Sequence, residues 1–434
     1  MARPTTASAP LLEPPLGGLR RNFGWALGGR VVYGASQFAL LVVLARLGSV
    51  EAVGAFAFAL AFTAPPMVFA NLQLRSLYAT DVQHRFSWSS YLGLRRRATL
   101  AAFAMIVASL VLFPTAPDVA WSTLWIALAK AFETCSDLHY GVFQRHGRMD
   151  RFGRSLALRG VVGVGIVAAV LTLGGSMPWA MAAMAAWWGL MLVGYDAPTA
   201  QRLRPPTGRD GNTGSMARLA LQAAPMGLVF LLDSLHQNLP RYFVEARLGT
   251  TELGLFTPMV YMITIGSAFV FALGAPAAPV LARHAASRNG GPFAALAYRI
   301  VARGAMLGGA GVILAVVLGK PLLALAYGPS YAAEASAFVF VAISGALHFV
   351  MVPTIGALTA ARALAVQPLI YAAAIVAAGT ASALMVPDHG LVGAALAGVA
   401  GMATGTTCAL FLLRRAISAM SATSAMSLDH GGPR

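Results

Sequence analysis

Apolar residues in this chain neither alternate nor form a narrow helical stripe. They come in long runs that would be hydrophobic on every side of a helix. Such runs suit a lipid surrounding, where each backbone polar group must find its partner within its own segment. Twelve runs approach or exceed the ~20 residues that a bilayer core requires, at 24–46, 53–75, 97–116, 119–143, 157–175, 178–196, 217–244, 253–281, 298–319, 332–359, 368–386 and 391–413. The pattern therefore predicts an all-α polytopic membrane protein.

The short link after the first run, Ala45-Arg46-Leu47-Gly48-Ser49-Val50-Glu51-Ala52-Val53-Gly54-Ala55-Phe56, returns after the seventh run as Ala246-Arg247-Leu248-Gly249-Thr250-Thr251-Glu252-Leu253-Gly254-Leu255-Phe256, with one residue dropped. A repeat with six spans on each side gives two halves that enter the membrane in the same sense. Two parallel-related six-helix bundles around a central cavity follow, with the substrate path at their interface. The domain reading is a disordered cytoplasmic leader 1–22, a bundle 23–197, a Pro-, Gly- and Arg-rich cytoplasmic linker 198–216, a second bundle 217–415 and a cytoplasmic tail 416–434. Prolines at 65, 66, 225, 240, 258, 276, 279 and 353 interrupt several spans. They serve as static kinks or as hinges for alternating access.

Composition sharpens the picture. Hydrophobic residues make up 58% of the chain and charged residues 11%, with a mean hydropathy of +0.70, which no ordinary soluble domain approaches. The net charge of +16 is not a nucleic-acid signature, because with the N-terminus inside, 25 of the 31 Lys and Arg fall on inside segments and only Arg46, Arg247 and Lys320 on outside ones. That asymmetry predicts cytoplasmic termini and a basic surface beside anionic lipid. The outside links, about a dozen residues at most, leave no room for an extracytoplasmic domain. Cys135 and Cys408 offer no disulfide framework. No nucleotide-binding loop, metal spacing or catalytic constellation stands out, so no cofactor, no metal and no enzymatic activity are expected.

Ionisable residues within the spans mark function by default, since each costs at least ~2.5–3.5 kcal/mol at mid-bilayer. Lys130, Glu133, Thr134 and Asp137 share one helix face through their i, i+3, i+4, i+7 spacing. Ser234, Gln237, Asn238, Arg241 and Glu245 form a second stripe with Asp233 and His236 at its edges, and Arg30, Tyr33 and Gln37 a third. The three stripes are expected to line a water-filled cavity. Lys130 with Glu133 could instead be a locally neutral pair, and Arg30 and Arg241 could snorkel to the interfaces. Asp233 lacks an opposite charge within a turn and needs a partner from another helix, a proton or a cation. Arg30, Lys130 and Arg241 roughly balance Glu133, Asp137 and Asp233 in charge.

Gly147-Arg148-Met149-Asp150-Arg151-Phe152-Gly153-Arg154 resembles the major-facilitator signature, but it lies in the wrong link and its spacing is one residue short. Arg21-Asn22-Phe23-Gly24-Trp25-Ala26-Leu27-Gly28-Gly29-Arg30, Ala45-Arg46-Leu47-Gly48, Gly54, Tyr78-Ala79-Thr80-Asp81, Arg148-Met149-Asp150 and Ser155-Leu156-Ala157-Leu158-Arg159-Gly160 together resemble the polysaccharide-biosynthesis transporters. These include the O-antigen flippases of the multidrug/oligosaccharidyl-lipid/polysaccharide exporter superfamily. The resemblance runs from the first span to about the eighth. It implies a bacterial inner-membrane flippase that moves undecaprenyl-pyrophosphate-linked oligosaccharide to the periplasmic leaflet for lipopolysaccharide or exopolysaccharide assembly, with membrane lipid and a glycan polymerase as partners. On that reading Arg30, Gln37, Lys130, Asn238 and Arg241 contact substrate, and Glu133, Asp137 and Asp233 serve a coupling proton or sodium ion. A multidrug/cation antiporter of the same superfamily would also use a mid-membrane acid such as Asp233. A glycan-polymerising membrane enzyme fits less well with such short outside links.

Overall fold

A computed structural model describes residues 16–81, 84–113, 115–204, 215–274 and 277–429. The described residues form helices and turns, in the order α1 (Leu16–Leu47), α2 (Val50–Asn71), α3 (Leu74–Thr80), α4 (Trp88–Leu112), α5 (Pro117–Arg145), α6 (Met149–Thr172), α7 (Met177–Met191) with a π-helical turn Leu192–Asp196, and α8 (Ala197–Leu203). The second half comprises α9 (Met216–Leu248), α10 (Thr250–Gly274), α11 (Ala278–Ala286), α12 (Gly290–Ala326), α13 (Pro329–Ala332), α14 (Ala335–Ala360) and α15 (Gln367–Asp429). α15 is two arms, broken at Gly390, whose φ of 55° and ψ of −132° end one helix and start the next. Each expected span corresponds to one helix or arm, so twelve helices cross the membrane. α4 and α5 carry charge within their spans, at Arg95–Arg97 and along the Lys130–Asp137 stripe.

The helices overrun the apolar runs at their ends. α1 begins at Leu16, inside the stretch read as a leader, and α15 continues to Asp429, through most of the stretch read as a tail. Residues 1–15 of the leader and 205–214 of the linker lie outside the described residues. α1 packs chiefly on α6, and α5 is the central helix of the first lobe, in contact with α2, α3, α4, α6, α7 and α8. In the second lobe α12 packs on α14, and α14 and α9 pack on α15.

The repeated link marks one end of the molecule, where Arg and Lys are scarce; the start of α1 and the end of α15 lie toward the opposite, Arg-rich end. At the Arg-poor end the lobes interlock. A Cβ on Gly54 would lie 1.9 Å from the Thr250 carbonyl oxygen, and one on Gly254 would lie 2.1 Å from that of Val50. Each copy's glycine thus receives the first turn of the other copy's helix, so α2 and α10 cross backbone to backbone. Around the crossing, Leu40, Leu41, Leu44, Val53 and Phe56 of the first lobe share one core with Val244, Leu253, Phe256, Leu323 and Tyr327 of the second. Toward the Arg-rich end the cores separate: one is built on Leu74, Tyr91, Phe143 and Phe152, the other on Phe293, Met351, Tyr371 and Leu413. Among the described residues only the first turns of α9, through Leu219 and Ala223, join the first-lobe core there.

A proline in α2 also ties the lobes together. Pro65 has no N–H for the carbonyl of Ala61 four residues back, and the Tyr242 hydroxyl of α9 donates to that oxygen at 2.6 Å. The kink is thereby satisfied from the other lobe.

Candidate functional site

The polar face of α5 is the spine of the site. Glu133 accepts from Lys130 Nζ at 2.8 Å and from the Tyr33 hydroxyl of α1 at 2.6 Å. Lys130 stands 5.4 Å from the Trp188 ring centre, and both it and Tyr33 come to Glu133 from different directions. α5 is surrounded by first-lobe helices, yet the Lys130 and Glu133 side chains keep 27% and 25% of their surface accessible. In the second lobe Arg241 lies 5.8 Å from the Tyr261 ring of α10 and donates to Asn238 Oδ1 at 2.6 Å, while Asn238 donates to the Ser234 carbonyl. Tyr261 is also within electrostatic reach of Lys130. Gln37 sits half-buried one turn beyond Tyr33 on α1.

Two turns along α5, Asp137 accepts from Arg75 at 3.3 Å and lies 3.6 Å from Arg95, whose side chain is fully buried. Arg95 also donates to Asn71 Oδ1 at 2.7 Å. Arg75 reaches this position because Leu72 and Gln73 both adopt left-handed backbone conformations, with φ of 47° and 50°, and break α2 from α3. Two such residues in succession are costly and need surrounding structure to hold them. Phe152 lies between Arg75 and Arg30, at 4.6 Å and 6.0 Å from the respective guanidinium carbons. Arg30 is exposed on α1 and belongs to this Arg-rich-end group rather than to the Lys130–Arg241 group.

Behind the spine, Arg159 of α6 donates to Asp196 Oδ2 at 2.9 Å and Ser136 Oγ at 2.6 Å, with both ends of the ion pair fully buried. The π-helical turn Leu192–Asp196 sets the position of Asp196 at the end of α7. Such turns shift the phase of a helix and are frequent at functional sites. In the second lobe Asp233 is hydrogen-bonded to Gln237 on its own helix and to Tyr371 of α15. The structure thus places Asp233 apart from Arg241, which lies two turns further along α9.

The sequence missed Arg75, Arg95, Arg159 and Asp196. Arg75, Arg95 and Arg159 lie among the loop arginines when only hydropathy is read, but all three enter the first lobe. They stand against acids of the same lobe, Arg75 and Arg95 against Asp137 and Arg159 against Asp196, while the half-buried Glu245 lies one turn beyond Arg241 in the other lobe. Charges of both signs thus meet inside the protein.

No protein-family model matches the chain. It is 23% identical to the capsular polysaccharide biosynthesis protein CapF of Staphylococcus aureus over 322 residues, covering 72% of this chain and 78% of that one. Its fold matches an inward-facing multidrug resistance transporter of the MATE family and MOP superfamily with a TM-score of 0.68, at 14% identity, over 90% of this chain and 96% of that one. An outward-facing transporter described in the same words matches with a TM-score of 0.67, at 16% identity, over 95% and 98% of the two chains. The chain is a polytopic membrane protein with the twelve-helix fold of the MOP superfamily transporters, and it resembles the polysaccharide-biosynthesis branch of that superfamily in sequence.

Proposed function

We propose that the protein is a flippase for a lipid-linked oligosaccharide in the bacterial inner membrane, with the Arg-rich end and both termini cytoplasmic. The observation that carries this reading is the partly accessible column of charged residues along α5, Lys130, Glu133 and Asp137 with Arg75 beside it, between lobes that are interlocked at one end and have separate cores at the other. A sugar chain and a pyrophosphate cannot shed their water into ~30 Å of hydrocarbon without replacement partners. The Arg30–Arg75 pair at the mouth suits the diphosphate, because Arg offers planar, bidentate donors to phosphate oxygens. Lys130, Arg241, Gln37 and Asn238 then offer donors and acceptors to sugar hydroxyls deeper in. Glu133 and Asp233 are the assigned coupling sites for a proton or sodium ion. Asp137, held between two arginines, is assigned to orienting Arg75 instead. The capsular role of the CapF relative supports the glycan substrate, and a glycan polymerase is the natural downstream partner.

Asp233, bonded only to neutral groups, favours a second reading: a cation antiporter exporting small molecules. A deletion strain complemented with Arg30→Ala, Lys130→Ala or Asp233→Ala at normal expression separates the two. Loss of surface glycan with unchanged drug susceptibility is the expected result. Wild-type glycan from both Arg30→Ala and Lys130→Ala would defeat the flippase site assignment, and heightened drug susceptibility with intact glycan would favour the antiporter.

A further inference from the structure

The second lobe holds a buried histidine that the proposed site does not use. His236 of α9, one turn beyond Asp233, is 3% exposed, and its Nδ1 has no hydrogen-bond partner among the described residues. Both arms of α15 wall the ring. A Cβ on Gly401 would lie 2.9 Å from His236 Nε2, 2.7 Å from Ala378 Cβ and 3.0 Å from the Ala374 carbonyl oxygen. A glycine at 401 therefore makes the room that the imidazole occupies. His348 of α14, half-buried, stands within electrostatic reach of the ring.

The other charges near α9 are few. Asp233 is placed for an i, i+3 pair with His236, but its carboxylate is engaged by Gln237 and by Tyr371 of α15. Of the helices packed on α9, α2 brings only Glu51, in its first turn, and α10 only Glu252 and Tyr261, which faces Arg241. α4 brings Tyr91 and Arg95 to the first turns of α9, near Met216 and Leu219. Around His348, α11 and α12 carry Arg283, His284, Arg299, Arg303 and Lys320 but no acid. Asp233 is thus the carboxylate within a turn of the ring.

We propose that His236 binds a proton in the transport cycle and that the charged ring takes the Asp233 carboxylate from Tyr371. A protonated imidazole has an N–H at both nitrogens, so Nδ1 then carries a hydrogen that its present surroundings leave unsatisfied. In a dry interior an ion pair outcompetes the bond from a neutral phenol. The Asp233–Tyr371 bond ties α9 to α15, and its loss loosens these helices where the ring is wedged between them. His348, a like charge if protonated, limits the pair to one proton at a time. Imidazole nitrogens take protons or transition metals, whereas hard cations such as sodium take oxygen ligands, so the ion bound here is a proton. Its use as the coupling ion rests on the transporter reading; its binding does not.

The test is an NMR titration of the full-length protein in detergent, with isotope-labelled histidine, a chelator present and no substrate. The imidazole signal of His236 is assigned by its loss in His236→Gln. Because nothing is transported, failure here is distinct from failure of the flippase reading. In wild type the signal is expected to titrate reversibly while the protein stays folded. Asp233→Asn should weaken the proton affinity of His236 roughly tenfold or more, the effect of removing a close opposite charge. Tyr371→Phe, which releases that carboxylate, should strengthen it several-fold, and His348→Gln should also strengthen it. If Asp233→Asn fails to fold, Tyr371→Phe carries the test. A His236 signal that does not titrate before unfolding would overturn the proposal. So would an affinity that Tyr371→Phe leaves unmoved, or that Asp233→Asn and Tyr371→Phe shift in the same direction.

Discussion

In the first lobe, the central helix faces inward with Lys130, Glu133 and Asp137, and Arg75, Arg95 and Arg159 close on it from three neighbouring elements. In the second lobe, α9 offers Asp233 to a glutamine and a tyrosine, and Arg241 to an asparagine. Both lobes carry a copy of the repeated link, and the glycines of the two copies meet reciprocally at the Arg-poor end. The crossing of α2 and α10 is constrained by backbone contact on both sides, so neither copy can change without the other. The interiors have no such mutual constraint, and they have diverged from ion-pair chemistry in one lobe to neutral hydrogen bonding in the other.

The largest expected effect tests that contrast directly. Asp196→Ala leaves Arg159 buried without its counter-charge and should cost ~3–5 kcal/mol. Asp233→Ala leaves two neutral donors, Gln237 and Tyr371, without their acceptor and should cost ~1–3 kcal/mol. Thermal melting of the two purified variants compares them, and equal losses would dissolve the distinction between the lobes.

The second effect concerns the part the lobes share. Gly54→Val places side-chain carbon against the Thr250 carbonyl and should force the Arg-poor end apart. A cysteine at Leu253, which is fully buried there, should then react with a membrane-impermeant maleimide several-fold faster. Gly34→Ala, with open space around it, should leave the reaction unchanged. Unaltered labelling in Gly54→Val would show that the crossing does not hold that end closed.

A smaller effect separates the two copies of the repeat. Arg46 donates to the carbonyls of Ala324, Leu325 and Ala326, at 3.1, 2.5 and 3.4 Å, and so caps the C-terminus of α12 from the opposite lobe. Arg247, its counterpart, lines an open cleft with Glu252, Glu334 and His389. Arg46→Ala should lower stability by ~1 kcal/mol, and Arg247→Ala by less than ~0.5 kcal/mol, measured by the same melting experiment.

The smallest lies at the start of α6. Arg148 grips Asp150 through two hydrogen bonds of 2.9 Å and, with Arg151 nearby, holds its carboxyl below the usual range. A lowered folded-state pKa means that this contribution is present above the ordinary carboxylate pKa near ~4 and is lost as pH falls toward the folded value. Asp150→Asn should remove that acid-side decline while costing less than ~1 kcal/mol at neutral pH. An unchanged acid limb of the stability curve would show that the pair is idle.

The sequence showed the frame well because lipid-facing helices advertise themselves by length and apolarity, and the repeat marked Gly54 and Gly254 as equivalent, though not that the two copies meet. The α5 stripe was legible for a local reason: its spacing alone puts the charges on one face. Arg95 was not, because Arg95-Arg96-Arg97 reads as a basic loop, and only the fold shows that α4 begins at Trp88 and turns one of the three inward. Arg75 needed the left-handed pair at Leu72 and Gln73, which neither residue type announces. Asp196 depends on a π-helical turn that has no sequence signature of its own, and Arg159 stayed unassigned until that partner was in view.

The bond from Tyr242 to the carbonyl freed by Pro65 has a bearing on timing. Any cycle that exposes the sealed end must part the phenol from that oxygen, and no water is stored between them at 2.6 Å. The bare carbonyl persists until solvent arrives or the lobes meet again. The cost of that unpartnered oxygen, ~1–3 kcal/mol, falls on every state in which α2 and α9 part there.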